Sequence, residues 1–135
     1  MVDKKSQKHI FISQPMHGKN IEEVKAKAAV IFEEAKKVFF KDKDVVLIEN
    51  IDHKDIPENA SRLMHLGESI KAMSDADIVI FDTKWGSARG CIVEVHTCVQ
   101  YGIMGYVYDP DLGDPEEDPF YPFLHLKGTP KYDGR

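Results

Sequence analysis

The stretch ADIVIFDTKWGSARGCIVEVHTCVQYGIMGYVY, residues Ala76–Tyr108, decides how the chain folds. It opens on a β-branched run, Ile78-Val79-Ile80, inside an apolar segment from Ala76 to Phe81 that is too short for a helix and reads as a buried strand. Asp82-Thr83-Lys84-Trp85-Gly86-Ser87 breaks that run as a loop. A helix is predicted from about Gly90 to Tyr101, closed by Gly102 as a left-handed cap, and Ile103–Tyr108 then reads as another strand. A strand, a helix and a strand in succession form a crossover unit, which makes the two strands parallel.

The same alternation extends upstream. Lys8–Ser13 reads as a first strand that ends in the loop Gln14-Pro15-Met16-His17-Gly18. Asn20 and Glu23 have capping-box spacing, and Ile21, Val24, Ala28, Ile31, Ala35 and Val38 recur at helical steps. Val45–Ile48 is a continuous apolar run, expected as a strand covered on both faces. From Asn59 to Ser74, Leu63, Leu66, Ile70 and Met73 predict another helix. The order βαβαβαβ implies a single α/β domain: a flavodoxin-like, doubly wound, mostly parallel sheet with helices on both faces. Ligands in such sheets bind beyond the carboxyl ends of the strands, where strand order reverses. The loops expected there are Ser13–Gly18 and Asp82–Gly90, which also concentrate glycine and polar groups.

A length of 135 residues suits one domain. The α/β domain is assigned to residues 1–108. Residues 109–135 form an acidic, proline-rich segment, expected to lack regular structure and to pack Phe120, Tyr121, Phe123 and Leu124 on the domain or on a neighbouring subunit. With 18 basic against 23 acidic side chains and a net charge of −5, the chain offers no basic field for a nucleic acid polymer. No apolar run is long enough for a bilayer or a signal-peptide core, so a cytoplasmic protein without a membrane partner is expected. Cys91 and Cys98 sit seven apart in the predicted helix, about 10 Å between α carbons, which excludes a disulfide between them and leaves two buried thiols.

Glu94 is expected in the first turn of its helix, facing the crevice, where the helix amino terminus favours an ionised carboxylate at neutral pH and so an available nucleophile. Taken alone, a glutamate near a helix start is more often a surface residue. Gly90 allows a ligand close to the backbone.

Four segments, Ile10-Phe-Ile-Ser-Gln-Pro-Met-His-Gly18, Leu66-Gly-Glu-Ser-Ile70, Asp75-Ala-Asp-Ile-Val-Ile80 and Ala88-Arg-Gly-Cys-Ile-Val-Glu94, resemble the nucleoside 2-deoxyribosyltransferase-like superfamily, in particular its small bacterial and phage branch. The resemblance spans about residues 8–108 and leaves the tail unmatched. It implies that Glu94 attacks C1′ of a 2′-deoxynucleoside or its 5′-monophosphate, forming a deoxyribosyl-enzyme ester that another base or water resolves with net retention. No metal or organic cofactor is implied. A homo-oligomer is, because family enzymes complete each site from an adjacent subunit.

The resemblance also assigns the surrounding residues. Family enzymes carry an aspartate eight residues before the one that opens the third strand; here that position is Ser69, so the adjacent Glu68 stands in as the partner carboxylate, against the reading of an ordinary helix-surface glutamate. Asp82 is either a base or sugar contact or an Asx-turn residue. Ser13, His17, Ser87 and Arg89 are anion ligands for a 5′-phosphate, within loops that also present Gln14, Met16 and Gly18. His17 is a general acid or an exposed loop histidine. Trp85 stacks on the base, or else anchors packing or an oligomer contact. His96, two residues from Glu94, points to another face of the helix. The competing reading is a nucleotide-binding or sensing module without turnover, favoured by Ser69.

Overall fold

The computed structural model describes residues 7–16, 18–41, 44–49, 59–111 and 119–122. Along them run β1 (Gln7–Ser13), α1 (Ile21–Val38), β2 (Asp44–Leu47), α2 (Arg62–Met73), β3 (Ile78–Asp82), a 3₁₀ turn (Trp85–Ser87), α3 (Arg89–Tyr101), β4 (Met104–Tyr108) and β5 (Phe120–Pro122). The strands form one sheet in the order β2-β1-β3-β4-β5. The first four are parallel, and β5 pairs antiparallel with β4. From β1 the chain steps outward to β2, then returns past β1 to β3 and continues to β4. Its direction of progress therefore reverses between β1 and β3, whose following loops diverge.

Strand periodicity divides the core in two. Ile10, Ile78, Ile80 and Tyr108 pack with Ile31 and Ala35 of α1 and with Phe120 of β5. Phe11, Val79, Phe81 and Val107 pack instead with Met73 of α2 and with Val95 and Cys98 of α3. Each of these large side chains contributes roughly 1.5–3 kcal/mol by leaving water. β3 is buried at all five positions, along its apolar run Ile78–Phe81 and at Asp82.

The helices start and stop where their end residues allow. Asn20 caps α1 by accepting from the N–H of Glu22 at 2.7 Å, and the stripe Val24, Ala28, Ile31, Ala35 is buried. Ser61 caps α2 by accepting from the N–H of Met64, so this helix begins three residues later than the apolar spacing from Asn59 suggested. Gly102, at φ 70°, ends α3 in the left-handed conformation expected of it.

Two expectations are corrected. β2 is an edge strand, exposed or half-buried along its length rather than covered on both faces. The segment after Asp109 is not wholly irregular: Phe120–Pro122 adds a strand, with Tyr108 opposite Phe120. Phe120 is buried beside Tyr108 and Phe39. A three-residue strand that follows Pro119 and ends in Pro122 carries no periodic signal, and proline is tolerated because this is the sheet edge. Phe123, Leu124 and most of the acidic cluster lie outside the described residues. Among the described residues, no helix is long and apolar enough to cross a membrane.

Candidate functional site

Ser13 ends β1 two residues after Phe11, so it points to the same side of the sheet, toward α3. There its Oγ lies 3.1 Å from Glu94 Oε1 and 3.3 Å from Cys91 Sγ. A hydroxyl has one hydrogen, and the carboxylate is the stronger acceptor, so Ser13 donates to Glu94. Both residues are buried, Glu94 at 6% exposure. Glu94 is the sixth residue of α3, in its second turn and away from the helix end.

That depth changes its ionisation. Burial pushes the Glu94 carboxyl up from 4.5 to about 7, with the Ser13 hydrogen bond pulling part of the way back. The expectation of a fully ionised carboxylate, held by the helix amino terminus, is therefore corrected: desolvation dominates, and near neutrality Glu94 is divided between its two forms. Burial also pushes the Cys91 thiol up to about 11 and Cys98 to about 12, which keeps both protonated. Both cysteines are free and buried, as the spacing required.

Glu94 opens on a cavity of about 520 Å³, within the range of small-molecule sites. Its walls come from three places. The loop after β1 supplies Gln14 and Met16, the start of α3 supplies Ala88, Arg89, Gly90, Val93 and Glu94, and α2 supplies Arg62, Leu63, His65, Leu66 and Ser69. On α2, residues 62, 65, 66 and 69 are spaced i, i+3, i+4 and i+7, one continuous stripe. Gln14 is held by donating from Nε2 to the Val24 carbonyl at 3.1 Å. Apolar contact is available from Met16, Leu63, Leu66 and Val93, charge from Arg62, Arg89 and Glu94.

The remaining candidates divide clearly. Ser13, Gln14, Met16, Arg89, Gly90 and Glu94 come together, with Ser13 positioned behind Glu94. Glu68 is half-buried and not among the cavity-lining residues, whereas its neighbour Ser69 is. Asp82 points to the other side of the sheet: one residue past Phe81, it faces α1, pairs there with Lys27 and accepts from the Lys84 N–H at 2.8 Å. Its contacts are those of the Asx-turn alternative. Trp85 is half-buried against the α2–α3 side of the core, the packing alternative. Ser87 donates to the Lys84 carbonyl at 2.7 Å and is exposed, as is Gly18, at φ 74°. His96 is exposed, away from Glu94. His17 lies outside the described residues.

Sequence reading missed Arg62 and His65. The signal was the α2 stripe itself, which the periodicity of Leu63, Leu66, Ile70 and Met73 assigned to the core; of these, only Met73 is buried. Among the described residues there is no group of three or more histidine, cysteine or acidic side chains arranged for a metal ion. Comparison with protein-family models, curated proteins and solved structures finds no match.

Proposed function

We propose that this protein cleaves the N-glycosidic bond of a 2′-deoxynucleoside or its 5′-monophosphate through a covalent deoxyribosyl-Glu94 ester, passing the sugar to another base or to water. The observation that carries this reading is a single buried carboxyl, braced by Ser13, opening on a cavity of nucleoside size at the strand ends. The resemblance to the nucleoside 2-deoxyribosyltransferase-like superfamily gives the chemistry; the strand order and the two-sided core support the flavodoxin-like, doubly wound arrangement that goes with it.

Glu94 suits the role of nucleophile. With Oε1 tethered by Ser13, Oε2 is left to approach C1′. A carboxylate made more basic by desolvation bonds more readily to an anomeric carbon once it is ionised. The ring oxygen of the sugar spreads the positive charge that develops as the base departs, and the second displacement restores the configuration at C1′. Arg62 and Arg89, with the start of α3 capped only by Ala88, favour a substrate carrying a 5′-phosphate at the cavity rim. Exposed Leu63, Tyr101 and Met104 offer apolar surface for the homo-oligomer that belongs to this reading.

A second reading, nucleotide binding without turnover, is favoured by one observation: Glu94 is the only carboxylate among the described lining residues, with Ser69 on the facing helix. Purified protein incubated with a panel of deoxynucleosides and deoxynucleotides, with and without acceptor bases, separates these readings. Free base without acceptor means hydrolysis, exchange only with acceptor means transfer, and tight binding without products means a sensor. Full activity in a Glu94→Ala variant would overturn the proposal.

A further inference from the structure

We infer that His65 is the acid that protonates a departing purine base, an inference that rests on the reading of Glu94 as nucleophile. If a carboxylate attacks C1′ from one side, the base must leave from the other and must gain a proton there to leave easily. Glu94 cannot form the ester and supply that proton in one step. Among the other described lining residues, arginine keeps its protons, the Ser69 hydroxyl is too weak an acid, and the Gln14 amide gives none up. Imidazole is the side chain that both gives and takes a proton near neutrality. His65 is the imidazole among the described lining residues.

Its position fits the division of labour. α2 and α3 meet where Leu66 overlies Gly90: a Cβ at Gly90 would lie 3.9 Å from Leu66 Cδ1. His65 adjoins Leu66 on α2, and Glu94 lies one turn beyond Gly90 on α3, so a sugar held between the helices meets the two groups from different walls. The charged groups sharing the space with His65 are Arg62 on its own helix and Arg89 and Glu94 on α3.

In the first step the Glu94 carboxylate forms the C1′–O bond while the C1′–N9 bond breaks. Its electron pair stays on the purine, which takes a proton from imidazolium. In hydrolysis the neutral imidazole then takes a proton from the attacking water as the C1′–O ester bond breaks and Glu94 leaves as carboxylate.

The test compares wild type and His65→Gln on 2′-deoxyguanosine and its 5′-monophosphate, each beside its N7-methylated form, whose cationic base leaves as a neutral molecule without protonation. The expected result is a loss of about 100-fold or more on the unmethylated substrates, and a loss at least about tenfold smaller on the methylated ones. Turnover of the methylated substrate also shows that the variant is folded. Equal losses on both forms, or no loss on either, overturns the inference while leaving the glutamate chemistry standing. So does a wild-type protein that cleaves other deoxynucleosides but none of these purines. A wild-type protein that cleaves nothing in the panel removes the underlying reading and this inference with it.

Discussion

Ser13 Oγ and Glu94 Oε1 lie 3.1 Å apart across 81 residues of sequence, joining the end of β1 to the second turn of α3. The hydroxyl favours the charged carboxylate while burial opposes it, and burial has the larger effect. Removing the hydroxyl should therefore move the Glu94 carboxyl further up. In Ser13→Ala the pH profile of kcat/KM is expected to shift its acidic limb to higher pH than wild type; an unmoved limb would remove Ser13 from the control of ionisation.

On the N7-methylated substrates, which need no acid, wild-type kcat/KM should rise with pH through about 7, where Glu94 loses its proton. In the proposed reaction the deprotonated form attacks, so low activity is expected below that point. A profile already flat from pH 5 to 8 would contradict the assignment.

Stability should run the other way. The folded-state pKa of Glu94 is raised above its unfolded value, so its contribution is fully present below about 4.5 and is lost as pH rises through about 7. The difference is on the order of 3 kcal/mol. Glu94→Gln should abolish turnover yet unfold at higher denaturant than wild type at pH 8, with the gap narrowing toward pH 5. Chemical denaturation at the two pH values checks this.

Asp82, though at a strand end, faces α1 rather than the cavity. Asp82→Asn should cost about 1–3 kcal/mol of stability by weakening the Lys27 pair and its turn contact. Activity per folded molecule should change by less than about threefold, since no charge next to the substrate is lost. A large fall in kcat/KM with unchanged stability would return Asp82 to the site.

Gly102 holds a positive φ that other residues rarely adopt. Gly102→Ala is expected to cost about 1 kcal/mol, read as a lowered denaturation midpoint with activity intact.

Much of this architecture was legible because buried strands and amphipathic helices carry distinct periodicities. The Ile78–Phe81 run, the α1 stripe and the Gly102 cap could each be assigned from neighbouring residues alone. The resemblance pointed to Glu94 and to Arg89. What escaped were properties that depend on three-dimensional neighbours. The ionisation of Glu94 is set by how deeply its surroundings bury it and by the Ser13 hydroxyl. Whether Asp82 or Ser13 reaches Glu94 is decided by strand parity: Ser13 shares the face of Phe11, while Asp82 is one residue past Phe81. The stripe of Arg62, His65 and Ser69 was hidden because α2 carries apolar residues at helical spacing without burying most of them. The strand at Phe120 depends on β4 being there to receive it.

The alternating faces of the sheet also make it a partition. Asp82 and Glu94 belong to opposite compartments: the Glu94 carboxyl is raised by burial and pulled part of the way back by Ser13, and Asp82 is not among the causes. A protein engineer thus has two largely independent workspaces. The α1 side is free for rebuilding toward heat tolerance, and the α2–α3 side for retuning which molecules are admitted, without either edit undoing the other.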